Sequence, residues 1–154
     1  MSTKQVSVSR SIAATPEQIF RVVSDASLHH VIDGSGTVRG TTGKPEPLKL
    51  GSRFSMRMRL GIPYVMPNTV VEFEQDRRIA WAHFGGHRWR YELEPLDPGA
   101  DGSPRTNVTE TFDWSTARSR GFIELLGWPK RHVPNMERTL ERLDAFVVNR
   151  ASAL

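Results

Sequence analysis

The chain has 154 residues, of which 38% are hydrophobic and 25% are charged. This balance is typical of a folded domain, so the sequence predicts one domain over residues 1–154 rather than a disordered chain. No apolar run approaches the roughly 18 residues that cross a bilayer, and we expect no stable membrane insertion. The absence of Cys excludes disulfides and thiolate chemistry. The first ten residues are polar and alternating, unlike a signal peptide, so a cytoplasmic protein is the simplest expectation.

The net charge of +4 invites a nucleic-acid interpretation. The basic residues, however, are scattered as pairs such as Arg57/Arg59 and Arg88/Arg90, and acidic residues lie among them. Solvated sheet faces have this pattern, whereas a nucleic-acid surface concentrates one sign of charge. The sequence therefore predicts no nucleic-acid partner.

The N-terminal part begins with a strand and continues into helices. Residues 5–12 alternate between apolar and polar side chains, which predicts a half-buried strand. Thr15, Pro16 and Gln18 then have the types and spacing of an N-cap, a first helical residue and a capping-box partner. A second short helix or turn is expected over residues 25–31.

The middle of the chain is predicted to be a series of antiparallel strands. One weak strand is expected at residues 37–41, inside a segment rich in Gly and Pro. Alternating or β-branched runs separated by short turns predict the others. They cover residues 53–60, 68–75, 79–84, 87–93 and 106–114.

The apolar period changes to 3.6 residues from about Arg120, which predicts a long amphipathic C-terminal helix. Pro129 and Pro134 should break or kink its first part, because proline lacks a backbone donor and clashes with the preceding turn. The apolar stripe comprises Val133, Met136, Leu140, Leu143 and Val147.

This element order predicts an α+β fold, with a sheet of six to seven strands and two short helices after strand 1. The sheet needs a cover for its apolar face, and the C-terminal helix is the long amphipathic element available. Short connections favour sequential antiparallel neighbours, with the first and last strands side by side.

Several segments also resemble one known family. Residues 6–20, 79–83, 89–95 and 106–114, together with the helix over 135–148, are similar to the polyketide cyclase/dehydrase-like branch of the SRPBCC (START/Bet v 1-like) superfamily. The resemblance spans nearly the whole chain in order. It implies the helix-grip fold, in which a curved antiparallel sheet wraps around the C-terminal helix. Members of the superfamily carry lipids, hormones or pigments, cyclise polyketides, or act as partners and toxins, so the fold does not choose a function.

Cross-strand partners share a face of the sheet, so the alternation can be carried from strand to strand. Pairing Phe73 with Ile79 places Val71 opposite Trp81 and Thr69 opposite His83. A loop of three residues, 84–86, places His83 beside His87 and Trp81 beside Trp89, whereas a two-residue Gly85-Gly86 turn would shift this face by one. Loop symmetry then brings Tyr91 near Glu110 and Trp89 near Phe112.

The resulting interior is aromatic and rich in Met. From the residues alone a filled core is the simpler interpretation, and the resemblance favours a ligand cavity. The predicted ligand-contacting residues are Phe54, Met56, Met58, Val71, Phe73, Trp81, His83, Trp89, Tyr91, Glu110, Phe112, Trp114, Met136 and Leu140.

Glu110 is the most informative polar residue, because it lies between Val108 and Phe112 on an apolar strand face. A carboxylate there must be paired, protonated or hydrated, and burial would raise its pKa. His83, His87 and Tyr91 are the candidate partners. The group is either a general base or ligand acceptor, or a structural hydrogen-bond partner.

The sequence leaves the roles of several other polar residues open. His83 and His87 are separated by Gly85-Gly86, which favours a turn over a zinc-binding helix, so no metal site is predicted. The pair His29-His30 either touches a ligand or lies in an exposed turn. His132 and Lys130 are expected in a solvated bend, and Asn68 either caps a turn or points into the mouth of the cavity.

Three hypotheses follow, and none requires a cofactor. The first is binding of a small hydrophobic molecule, such as a lipid, polyketide or aromatic metabolite, by a monomer or homodimer. The second is an aldol cyclase or dehydratase with Glu110 as base and His83 or Tyr91 holding the enolate oxygen. The third is a toxin-like or ribosome- or partner-binding module that uses the exterior Arg57, Arg59, Arg88 and Arg90.

Overall fold

The computed structural model describes residues 4–42 and 46–152. Within them, seven strands and four α-helices follow one another in the order that the sequence predicts, with a 3-10 turn at Ala26–Leu28. The strands are β1 (Gln5–Ile12), β2 (Val38–Thr42), β3 (Arg53–Leu60), β4 (Ile62–Glu74), β5 (Arg78–His83), β6 (Arg88–Leu96) and β7 (Arg105–Asp113). The helices are α1 (Pro16–Val23), α2 (His29–Ile32), α3 (Arg120–Leu125) and α4 (Trp128–Ser152).

The strands form one curled antiparallel sheet in the order β1-β7-β6-β5-β4-β3-β2. The first and last strands pair from Gln5 opposite Asp113 to Ile12 opposite Thr106, as predicted. Helix α4 covers the concave face and buries Met136, Leu140 and Leu143 there. The predicted α+β helix-grip fold is therefore confirmed.

Helix α1 begins where the capping residues predict. The Thr15 hydroxyl accepts a hydrogen bond from the Gln18 backbone amide at 3.2 Å, and the Gln18 side chain accepts one from the Thr15 amide at 2.9 Å. Pro16 is the first helical residue, where its missing N–H costs nothing. The helix buries Ile19 and Phe20 against the sheet side of the core.

Strand β4 begins six residues earlier than the sequence predicts, at Ile62 rather than residue 68. No strand was predicted over residues 62–67, because Pro63 and Pro67 lie there and proline is unusual in a central strand. In the structure both pair with β3 on one side, while β5 ends opposite Asn68 and leaves the other side open. The strand edge can therefore tolerate a residue without a backbone donor.

The predicted register between β4 and β5 is right at Phe73 and Ile79 and wrong beyond them. A β-bulge between Val70 and Glu72 adds one residue to β4, so Val70 rather than Val71 lies opposite Trp81. The same shift puts Asn68, not Thr69, opposite His83. Val70 is buried and Val71 is half-buried, so Val70 takes the position that the sequence assigned to its neighbour.

The break in the C-terminal helical region lies at Gly127, which has a φ of +68° and separates α3 from α4. The prolines do not break the helix, so that part of the prediction is wrong, while the alternative of a kink stays a prediction. Pro129 lies in the first turn of α4, where proline is tolerated, and α4 continues through Pro134. Burial of Met136 and Leu140 just beyond Pro134 offsets the lost hydrogen bond.

Gly34 is the point where the segment after α2 contacts α4. Its amide donates to Thr139 Oγ1 at 2.9 Å, its carbonyl accepts from Arg138 Nε at 3.0 Å, and a Cβ atom there would lie 2.5 Å from the Asn135 carbonyl oxygen. We expect Gly34→Ala to lower the free energy of unfolding by about 1 to 3 kcal/mol, because the helix must move away. Urea unfolding measures the effect. Gly121→Ala is the control, since no atom lies within 4 Å of that position; equal effects of the two changes would contradict the close packing.

Candidate functional site

The register arranges the concave face in rows that cross the strands. The Glu110 row contains Ile79, Tyr91, Glu110 and Val8. The Trp81 row contains Val70, Trp81, Trp89, Phe112 and Val6. The His83 row contains Asn68, His83 and His87, with the His83 amide donating to the His87 carbonyl at 3.0 Å. Neighbouring rows are two residues apart on each strand, or about 7 Å.

Trp81, Trp89 and Phe112 lie side by side on neighbouring strands, as the sequence predicts, and form an aromatic wall. Trp89 lies opposite both Trp81 and Phe112, and its ring centroid is 4.9 Å from that of Phe112. Trp81 also contacts Tyr91 at 5.7 Å and Phe54 at 5.8 Å between ring centroids. This wall separates the polar groups of the other two rows.

The first polar group is the pair of Tyr91 and Glu110, and the predicted contact between them is confirmed. The Tyr91 hydroxyl donates to Glu110 Oε1 at 3.2 Å, while Glu110 Oε2 is buried without a partner among the described residues. Glu110 is only 2% exposed, and burial raises its pKa well above the usual range of a carboxyl group. Burial and the neighbouring Glu110 raise the pKa of Tyr91 as well. Burial thus favours the neutral form of both groups, and in that form the carboxyl group has a proton to donate.

His83 and His87 do not join this pair, contrary to the expectation from the sequence. Their row lies two rows away from Glu110, about 13 Å along the strands, with the tryptophan wall between them. The trio Glu110, His83 and Tyr91 thus does not converge on one point. His83 instead contacts His87 with a ring separation of 4.9 Å.

The second polar group is the His83 row itself. Asn68 is 2% exposed and its amide donates to the Met66 carbonyl at 3.0 Å, but its Oδ1 has no partner among the described residues. The same is true of Nδ1 of His83 and of His87. Buried polar atoms are normally hydrogen-bonded, so three such atoms in one row mark a place suited to a polar group.

His132 belongs to this group, and its predicted place in a solvated bend is wrong. It lies in α4, with its ring 4.6 Å from Phe112 and 5.0 Å from Trp89. Burial and the neighbouring His87 lower the pKa of His132 to about 4, and burial with both other histidines lowers that of His83 to about 3. The signal in the sequence was its spacing, since residues 132, 136 and 140 continue one helical face.

His29 resolves the open question about the pair His29-His30. Its ring stacks on Trp81 at 4.7 Å, and its Nε2 lies 2.9 Å from the Val23 carbonyl oxygen. Burial lowers the pKa of His29, so the imidazole is neutral. His30 is exposed.

The structure brings most of the predicted contact residues to the concave face. Val71, at the bulge, is replaced there by Val70. Of the rest, Phe54, Met56, Trp81, Tyr91, Glu110, Phe112, Trp114, Met136 and Leu140 are buried, whereas Met58, Phe73, His83 and Trp89 are half-buried. Their contact with a ligand stays a prediction.

The convex face carries a separate depression of about 410 Å³, and none of the predicted contact residues lines it. Beside it, Glu72 accepts hydrogen bonds from Arg88 at 2.9 Å and from Arg90 at 2.7 Å, and Arg90 also contacts Asp113 at 3.1 Å. The Arg90 guanidinium lowers the pKa of Glu72. Arg88 and Arg90 are therefore engaged in ion pairs within the sheet.

The described part of the chain contains no group of three His, Asp or Glu side chains arranged to hold a metal ion. None of its helices is long and apolar enough to cross a membrane.

The curled sheet, the covering helix and the ring-lined concave face define a helix-grip domain of the SRPBCC type. Residues 3–147 match the model of the family described as polyketide cyclase / dehydrase and lipid transport, and the chain belongs to this family.

Two curated proteins of Mycobacterium tuberculosis are similar to the chain over most of its length. The chain is 39% identical over 153 residues to the uncharacterized protein Rv0088 of Mycobacterium tuberculosis strain H37Rv, and 38% identical to protein MT0096 of strain CDC 1551. In both cases the alignment covers 96% of this chain and 66% of the relative, so the chain spans just under two thirds of their length.

Among solved structures, protein Ms6760 of Mycobacterium smegmatis has a TM-score of 0.66 at 14% identity, covering 96% of this chain and 93% of that one. Protein NE0264 of Nitrosomonas europaea has a TM-score of 0.65 at 14% identity, covering 95% of both chains. At these identities the likeness concerns the fold alone.

Proposed function

We propose that the protein binds a small hydrophobic molecule between the concave face of the sheet and helix α4. The observation that carries this proposal is the buried Glu110 carboxyl group with its raised pKa, whose Oε2 has no partner among the described residues although an aromatic wall lies in the neighbouring row. A hydroxyl or carbonyl group of a ligand would satisfy it. An apolar surface with a few well-placed polar groups is the usual composition of a small-molecule site.

The wall supports a preference for ring-containing guests. Trp81, Trp89 and Phe112 present ring surfaces, and offset or edge contacts between rings add to the gain from burial. Met56 and Met58 lie on strand β3, which β4 separates from the strand of Trp81, and their flexible side chains can adapt to ligands of different shape.

The two polar groups support a ligand with oxygen or nitrogen atoms near both ends. The Glu110 row offers a neutral carboxyl donor, and the His83 row offers Asn68 Oδ1 and two imidazole nitrogens. They are about 13 Å apart along the strands, which is the length of three fused rings rather than of a single ring. A plain acyl chain would satisfy only one of them.

Binding of a neutral naphthyl ketone fluorophore, prodan, tests the role of Glu110. We expect Glu110→Leu to weaken binding about tenfold, because the ketone loses one hydrogen bond in a buried site, whereas Glu110→Gln keeps a donor and most of the affinity. Fluorescence titration measures both. The control is Glu94→Leu, since Glu94 is exposed on the convex face.

The pH dependence gives a second readout of the same site. The folded-state pKa of Glu110 is raised, so the donor is present below that pKa and is lost as pH rises through it. Prodan affinity of the unchanged protein should therefore fall at high pH, while that of Glu110→Gln stays level. Unaltered binding by Glu110→Leu, with a level pH profile, would reject the proposal.

The same pair of residues supports a second candidate function, an aldol cyclase or dehydratase. A carboxyl group with a raised pKa is suited to donating a proton or hydrogen bond to a carbonyl oxygen, rather than to acting as the base that the sequence suggested. Tyr91 would hold Glu110 in position through its hydroxyl. Turnover of a poly-β-keto substrate that Glu110→Gln abolishes would favour this function over binding alone.

A further inference from the structure

Among the described residues nine large apolar side chains are exposed, and six of them lie in three segments at one end of the sheet, whereas Val31, Leu50 and Leu96 lie in other segments. The six lie on the tip of the β3–β4 hairpin, on the β5–β6 turn and on α3, and we call them the apolar rim. The rim consists of Ile62, Tyr64, Val65, Phe84, Phe122 and Leu125. Ile62 is 75% exposed, Phe84 74% and Leu125 82%, so most of each side chain is in contact with solvent. A cluster of this kind marks an interaction surface.

Strand register and loop contacts place these elements together. Residues 62–67 of β4 extend past the end of β5, so the hairpin tip projects at the same end of the sheet as Phe84. The Arg118 amide, in the segment leading into α3, donates to the Gly85 carbonyl at 2.8 Å. The Arg118 guanidinium lies 5.9 Å from the centre of the Phe84 ring. The β5–β6 turn and the segment leading into α3 are thus in contact, and the hairpin tip projects beyond them at the same end of the sheet.

Positive charge is concentrated in the same segments. Residues 47–71 contain four Lys or Arg and no Asp or Glu, and residues 114–134 contain four Lys or Arg and one acid, Glu124. That acid is engaged by Lys4 and by the Trp114 indole. Outside these two segments the chain has 16 acidic and 13 basic residues, so the net positive charge of the protein comes from them.

We propose that the apolar rim docks on the surface of an anionic lipid bilayer. Its side chains protrude from a hairpin, a turn and a short helix, so they can enter the headgroup region of a bilayer. The exposed Arg57, Arg59, Arg118 and Arg120 around them are complementary to anionic headgroups. A second copy of the chain is a poorer occupant, because its own basic side chains would face these. Tyr64 lies opposite Met58 and so shares its face of the sheet. The inference still does not rest on the proposed ligand site, since no residue of the Glu110, Trp81 or His83 rows belongs to the rim.

Vesicle co-sedimentation tests the docking. With the full chain at about 0.1 M salt, we expect binding to vesicles containing about one third phosphatidylserine and at least about fivefold weaker binding to pure phosphatidylcholine vesicles. Phe84→Ser with Leu125→Ser should weaken binding about fivefold or more, as should Ile62→Ser with Val65→Ser. Arg57→Gln with Arg59→Gln should weaken it and flatten its salt dependence.

Matched controls come from the opposite end of the sheet. Leu96→Ser, and Arg77→Gln with Arg105→Gln, remove similar side chains from exposed positions there and should leave vesicle binding unchanged. Equal binding to both vesicle types, no binding, or equal losses in the controls would overturn the proposal. So would a dimer in sedimentation equilibrium that the rim substitutions dissociate. Prodan affinity should not change in the rim variants, which separates this test from that of the ligand site.

Discussion

Leu140→Ala is expected to lower the free energy of unfolding by about 3 to 4 kcal/mol. Leu140 is 1% exposed at the centre of α4, where it joins the helix to the main core of the sheet. Truncation removes its transfer free energy and leaves a cavity that the curled sheet cannot close by collapse. Urea unfolding followed by circular dichroism measures the change.

The matched control for this change is Leu125→Ala. The same chemical truncation occurs at a residue that is 82% exposed, so the effect on stability should stay within about 0.5 kcal/mol. Similar losses in both variants would mean that α4 does not pack on the concave face as described.

The largest pH effect is expected at His83. Burial lowers its pKa in the folded state to about 3, from an ordinary value of 6.5. Its neutral form is therefore favoured in the folded protein, so its contribution to stability is complete above pH 6.5 and is lost as pH falls towards 3. Between pH 7 and pH 4 this loss amounts to about 3 kcal/mol.

Replacing His83 by Gln removes this titration. The free energy of unfolding of the unchanged protein should fall more steeply from pH 7 to pH 4 than that of His83→Gln, by about 2 to 3 kcal/mol over the interval. His30→Gln is the control, because His30 is exposed. Parallel profiles for all three proteins would show that His83 is hydrated in the folded state.

The separation of the two polar groups bears on the choice between binding and catalysis. Acid–base catalysis needs its groups within hydrogen-bond reach of the same substrate atoms. Here the Trp81 row lies between Glu110 and the histidines, so the two groups would meet different ends of a guest. This geometry supports recognition of an elongated molecule more directly than it supports a trio acting on one bond.

Much of the fold follows from local patterns. The Thr15–Gln18 capping box marked the start of α1, and strict alternation marked β1 and β3 with the bounds that the structure has. Alternation also set which face each side chain occupies. A three-residue turn at residues 84–86 aligned Trp81 with Trp89, and the symmetry of the β6–β7 loop aligned Tyr91 with Glu110. Periodicity is a property of the backbone and can be read without tertiary contacts.

By itself, then, the sequence determined the helix-grip order and the buried Tyr91–Glu110 pair. The tertiary structure decided the rest. A β-bulge placed Val70, instead of the predicted Val71, opposite Trp81. The sheet accommodates the extra residue by a local change in twist, which cannot be recognised from the alternation of apolar and polar residues. The packing of α4 on the sheet places the His132 ring against that of Phe112. His83 and Glu110 are far apart because four residues along the strands separate their rows. Such positions depend on contacts between segments far apart in the chain, which no local pattern contains.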